Sequence, residues 1–104
     1  HRNRTQLIML IQAPYQKNDA VTFRTTAGEE VVARFVEEND KSLTVTKPMA
    51  LVMQGGGFGL GPWLLTADSS QNIAVNKSAI QFVVKTESNM AKQYVEATSG
   101  ITMV

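Results

Sequence analysis

General acid–base or metal chemistry needs histidine, cysteine or carboxylate side chains that converge. This chain has one His, at position 1, no Cys, and nine acidic residues scattered over stretches that read as surface turns. No nucleophile, proton shuttle or ligand set emerges, so no catalysis, metal or cofactor is expected. A second stretch with a chemical reading is 54–62, QGGGFGLGP, which holds five of the seven glycines. A glycine-rich loop can cradle phosphate, but no Lys-Ser or Lys-Thr pair follows and no helix is signalled. The stretch therefore reads as a loop at a hairpin tip, with Phe58, Leu60 and Trp63 placed to pack on a neighbour. Two short polar breaks remain, Asn39-Asp40-Lys41 and Asn76-Lys77-Ser78, whose residue types suit tight turns. From residue type alone, Lys77 reads as a solvated turn lysine, and Asp40 with Lys41 as a surface pair of little energetic weight.

These breaks punctuate a chain rich in short apolar runs. Val21–Thr26, Val31–Glu37 and Leu43–Thr46 are separated by Ala27-Gly28-Glu29 and by Asn39-Asp40-Lys41, which predicts a three-stranded antiparallel meander. In the second run Val31, Ala33 and Phe35 alternate with Val32, Arg34 and Val36, giving one fully apolar face and one mixed face. Apolar character continues through Met49, Leu51, Val52 and Met53, and Lys47-Pro48 marks an edge position or a bulge in a long third strand. Trp63–Ala67 and Ile73–Val75 read as strand, separated by the polar stretch 68–72. Ala79–Val84 is a β-branched run that reads as a buried strand. Upstream, Gln6–Ala13 followed by Pro14 reads as a short helix, with a buried strand as the alternative. Downstream, Ser88 can cap a helix running to Thr98, with Met90, Tyr94, Val95 and Ala97 on one side and Gly100 past its end.

The 104 residues fit one domain, with the strands over about 20–85 and the last helix over about 88–98. A composition of 43% hydrophobic and 18% charged residues excludes disordered and collagen-like classes. Ten basic against nine acidic residues leave a net charge of +1, so nucleic-acid binding would need local clustering of Lys and Arg. The absence of Cys fits a reducing compartment. The apolar run Leu7–Ile11 is too short for a membrane span or a signal-peptide core.

Two of these stretches resemble the motifs of the Sm-like family. VTFRTTAGEEVVARF resembles the first Sm motif: an apolar strand, a turn glycine at Gly28, then an apolar, a small and a large apolar residue at Val31, Ala33 and Phe35. The family commonly has Gly at the Ala33 position, where the strand bends. VNKSAIQFVV, residues 75–84, resembles the second motif in its bacterial Hfq form, in which Tyr-Lys-His-Ala-Ile precedes a β-branched strand; Lys77, Ala79 and Ile80 match. The two stretches cover about half the chain. The glycine-rich tip and the C-terminal helix depart from the bacterial protein and are similar to Sm-like proteins of cyanophages or marine phages.

The resemblance implies a mainly β fold: a small, strongly bent, five-stranded SH3-like barrel with a helix before it and one after. It also implies a ring of roughly five to seven identical subunits, joined where the open strand edges meet, here about Leu64–Val75 and Ala79–Val84. In such rings single-stranded RNA lies at the central pore, held by two tight loops. The corresponding residues are Asn39, Asp40, Lys41 and Ser42 in the first loop and Asn76, Lys77 and Ser78 in the second. The asparagine that reads the base edge in Sm proteins falls here on Ser42 or Leu43, and Ser78 replaces the His of Hfq. Lys77, repeated around a ring, would supply the positive charge that a +1 subunit lacks. Glu29-Glu30 and Glu37-Glu38 read as solvated strand ends; facing a pore, they would oppose RNA. Gln12 and Tyr15 lie where Hfq uses residues of its first helix, although a loop tyrosine packed over the core is the plainer role for Tyr15. The implied role is an RNA chaperone or scaffold in a bacterial host cytoplasm, and the alternative is a structural or protein-interaction ring that does not bind RNA.

Overall fold

The computed structural model describes residues 15 to 99. The expected first helix, Gln6–Ala13, and Gln12, His1 and Gly100 lie outside the described residues. The strands are β1 (Ala20–Thr25), β2 (Glu30–Glu38), β3 (Ser42–Gln54), β4 (Gly57–Pro62), β5 (Ile73–Asn76) and β6 (Ile80–Lys85), followed by helix α1 (Ser88–Thr98). A single 3-10 turn, Lys77–Ala79, joins β5 to β6. The strands form one antiparallel sheet in the order β4-β3-β2-β1-β6, with β5 on the same side of β3 as β4 but along its first half. The sheet is not closed: β4 and β6 end it without pairing to each other.

The meander forms as the alternation dictates. Val21 and Phe23 of β1, Val31, Ala33 and Phe35 of β2, Leu43 and Val45 of β3, and Val75 of β5 share one buried cluster, closed over by Tyr15, Trp63, Ile73, Ile80 and Val83. Gly28 turns β1 into β2 with φ +101, a conformation that a Cβ would strain. Lys47 and Pro48 do form a bulge in a long third strand. The two residues stand opposite Ala33 alone, between the pairs Val32–Met49 and Arg34–Thr46. Lys47 takes φ 52 there, and its N–H leaves the ladder to donate to Ser69 O at 2.6 Å.

Three expectations are corrected. The glycine-rich stretch is not a loop: Gly55 and Gly56 make a two-residue turn with φ 47 and 88, and Gly57–Pro62 then pairs with Met49–Gln54 as β4. The run Trp63–Ala67 is not a strand, because the bulge at Lys47-Pro48 leaves β3 without a regular edge for it. Trp63 turns inward instead, edge-on to Phe23 at 5.6 Å between ring centroids. Third, the sheet has six strands, and of the edge expected over Leu64–Val75 only Ile73–Val75 is strand, in the short β5, while β4 lies before that range.

Helix α1 has the expected bounds but a different cap and face. Glu87, one residue before Ser88, is the N-cap: its carboxylate accepts from Asn89 N at 3.0 Å and Met90 N at 2.9 Å, and these bonds hold its pKa below the usual carboxylate value. Met90, Tyr94 and Thr98, spaced i to i+4, turn toward the sheet, whereas Val95 and Ala97 are exposed. Fully buried Tyr94 donates its hydroxyl to Lys47 O at 2.6 Å, and the Lys47 ammonium in turn donates to Thr98 O at 3.2 Å. The helix is thus latched to the bulge from both of its partners. Tyr94→Phe removes a donor from a buried carbonyl and is expected to cost about 1–3 kcal/mol, read as a lowered urea midpoint.

Tyr94 and Tyr15 are the chain's two tyrosines, and burial pushes both phenols up to about 12, with the Glu38 carboxylate adding to the shift at Tyr15. The unfolded phenols ionise near 10.0, so stability is full below that pH and falls as pH rises toward about 12. An absorbance titration should show no tyrosinate at the ordinary value. Ionisation of either phenol near pH 10 with the fold intact would contradict this.

Candidate functional site: two paired polar loops

The two breaks that lie far apart in sequence meet at one end of the sheet. The first is the β2–β3 hairpin. Asn39 Oδ1 accepts from Lys41 N at 2.8 Å and Ser42 N at 2.9 Å, an Asx-turn that fixes the loop with a side chain. The second is the 3-10 turn after β5. Because β5 pairs with the start of β3, Asn76 stands opposite Ser42, and Lys77 N donates to Lys41 O at 2.8 Å. Asp40, Lys41, Asn76, Lys77 and Ser78 together line a shallow depression of about 350 Å³.

Of the seven residues named from the sequence, five line this depression. Ser42 lies beneath it in the β3–β5 ladder, and the Asn39 side-chain oxygen is occupied within its own loop. Asn76 and Ser78 are exposed and present an amide and a hydroxyl to solvent. Those two groups, with the ammonium ions of Lys41 and Lys77, can donate hydrogen bonds to phosphate or to base edges.

Glu38 is the neighbour of the two loops whose partners sequence reasoning did not foresee. Its carboxylate lies 3.6 Å from the Lys77 ammonium and accepts the Tyr15 hydroxyl at 2.9 Å. Tyr15 is buried edge-on against Phe35 at 4.7 Å between centroids, so the tyrosine fixes the carboxylate and the carboxylate holds the lysine. Glu37 and Glu38 are exposed at the end of β2, as expected of strand ends, and Glu38 in addition engages Lys77 and Tyr15. Alternation along β2 gave no signal for this, because the register shifts between Phe35 and Glu37 and sets Glu38 opposite Leu43. Glu29, the other strand-end acid, accepts from Trp63 Nε1 at 3.2 Å and lies at the β1–β2 turn, outside the paired loops. Lys77 also lines an adjoining depression with Tyr15, Glu38, Ile80, Gln81, Phe82 and Val83.

Charge around the loops is of mixed sign. The loops and the end of β2 carry Lys41 and Lys77 together with Glu37, Glu38 and Asp40, and Lys77 pairs with Glu38. Among the described residues no cluster of three or more His, Cys, Asp or Glu could hold a metal ion, and no helix is long and apolar enough to cross a membrane.

No protein-family model matches the chain, and no curated protein matches it. The Sm-like resemblance therefore rests on the two sequence motifs.

Proposed function

We propose that the chain is an Sm-like subunit that joins its own copies through the open ends of its sheet and binds single-stranded RNA at the paired loops, without catalysis. The observation that carries the reading is the Lys77 N to Lys41 O bond, which sets two polar loops from separate motifs side by side. A second support is the open sheet, whose end strands have backbone donors and acceptors that a second copy can satisfy. Repetition by rotation would multiply the loop pair into a polar ring, a geometry suited to a flexible strand.

In this reading Glu38 and the RNA phosphate compete for Lys77. Glu38→Gln keeps an acceptor for Tyr15 while removing the charge that holds the lysine. It is expected to tighten binding of a U-rich oligonucleotide several-fold at low salt, measured by fluorescence anisotropy. Unchanged affinity would exclude competition between Glu38 and RNA for Lys77.

A structural or protein-interaction ring is the second reading, and the Lys77–Glu38 ion pair is the observation that favours it. A lysine neutralised within its own subunit contributes little attraction to a polyanion. In that case neither Glu38→Gln nor Lys77→Ala affects RNA, because none is bound.

A further inference from the structure

The sheet has a second buried surface, on the face away from the core cluster. Val32 is 2% exposed and Thr22, opposite it in the β1–β2 ladder, 9%, yet neither belongs to that cluster. Met90 of helix α1 and Leu51 and Phe58 of the β3–β4 hairpin line a groove that reaches Val32, with a volume of about 390 Å³. Small-molecule sites have volumes of roughly 300–1,000 Å³ and apolar walls interrupted by a few placed polar groups. None of the residues lining this groove belongs to the paired loops or to the depression beside them.

Two features set the groove apart from a simple gap between packed elements. The first is polar. Thr22 Oγ1 and Thr86 Oγ1 lie 2.9 Å apart, both residues line the groove, and Thr86 is 8% exposed. A pair of hydroxyls has two hydrogens and uses one between them, and neither oxygen has another partner among the described residues. One O–H is thus left to donate from a buried, mainly apolar wall. The second feature is charge. Glu30 and Glu87 line the groove and no basic residue does. Neither carboxylate forms an ion pair among the described residues, and Arg24, opposite Glu30 in the β1–β2 ladder, stays outside the lining. Glu87 is occupied as the cap of α1, where it offsets the positive end of the helix dipole. The Glu30 side chain has no partner of any kind among the described residues.

We infer that this groove binds a small organic cation, an amine with an apolar body that carries one hydroxyl or carbonyl oxygen. The body lies on Val32, Leu51 and Met90, and the Phe58 ring, 66% exposed without a ligand, covers it from the hairpin side. The ammonium pairs with Glu30, the carboxylate that no cap engages, while Glu87 adds to the negative field. The oxygen of the body takes the spare hydrogen of the Thr22–Thr86 pair. Charge complementarity selects a cation, since the lining holds two carboxylates and no base. The volume selects a free small molecule, because it encloses one such body and a peptide needs a longer track. The site is separate from RNA binding at the paired loops and stands whether or not that reading does.

The test is a titration of the full chain with tyramine, an aromatic amine with one hydroxyl, followed by the methyl NMR signals of Val32, Leu51 and Met90 at neutral pH and low salt. A parallel titration uses 3-(4-hydroxyphenyl)propionate, in which a carboxylate replaces the ammonium. The inference expects saturable shifts of all three residues with tyramine, a melting temperature that rises with its concentration, and much weaker binding of the propionate. Glu30→Gln, at an exposed side chain without partners, is expected to keep the circular dichroism spectrum, to weaken tyramine several-fold and to erase its preference over the propionate. Phe58→Ala is expected to weaken both compounds alike. Absent shifts, equal affinity for the two compounds, or unchanged tyramine affinity in Glu30→Gln overturns the inference. A Leu-Lys-Leu peptide that shifts the three residues where tyramine does not also overturns it, and makes the groove a contact for a basic segment of a partner protein.

Discussion

Phe23→Ala is expected to destabilise the domain by about 3–5 kcal/mol, a large part of the stability of a chain this size. The Phe23 side chain is fully buried at the centre of the cluster formed by β1, β2, β3 and β5. Its ring also supports Trp63, the chain's only tryptophan, so removal opens a cavity and loosens the residue that closes the core where β4 gives way to irregular chain. For a domain of about 100 residues each kcal/mol corresponds to roughly 4–8 °C in melting temperature. Thermal unfolding followed by Trp63 fluorescence reads the effect directly. A melting temperature within a few degrees of the parent would mean that Phe23 does not centre the core.

The second large effect concerns binding. Lys77→Ala is expected to weaken single-stranded RNA binding and to flatten its salt dependence by about 0.7 in the log–log slope for each phosphate contact removed. Because the lysine recurs in every subunit of a ring, one substitution removes several contacts at once. The fold should tolerate the change: Lys77 reaches the first loop through its backbone N–H, which alanine retains, and Glu38 keeps the Tyr15 hydroxyl as a partner. An altered affinity with an unaltered salt slope would contradict a phosphate contact, since loss of a neutral hydrogen bond does not release counterions.

Much of the meander was legible because burial has a period. Val31, Ala33 and Phe35 alternate with half-polar neighbours, and that pattern admits only one face toward the core. β4 was not legible for the opposite reason. Gly57, Gly59 and Gly61 have little intrinsic strand preference, and Phe58 and Leu60 pair on the outer face, so the segment is a strand only because β3 lies beside it. Trp63–Ala67 failed in the other direction: the apolar run suits a strand, but the bulge at Lys47 removed the partner. For α1 the length followed from composition, whereas the cap passed to Glu87 and the packed face to Thr98, choices made by the carboxylate geometry and by the Tyr94 latch.

The candidate site was legible as residues and not as an arrangement. Two polar breaks could be seen, but their contact depends on the β3–β5 register that places Asn76 opposite Ser42. Nor could sequence alone show that Lys77 is engaged by Glu38, since the two are far apart along the chain and meet only when both loops reach the same end of the sheet. Phe82 and Val84, read as buried in a β-branched strand, turn out exposed on β6, the strand that ends the sheet.

Native mass spectrometry of the full chain, alone and with short U-rich and A-rich RNA at low and raised salt, tests the central claim most directly. The account predicts a closed oligomer of one size that takes up about one RNA strand per ring and releases it as salt rises. A single chain under all conditions would contradict the assembly, and a ring that takes up no RNA at low salt would contradict RNA binding at the paired loops.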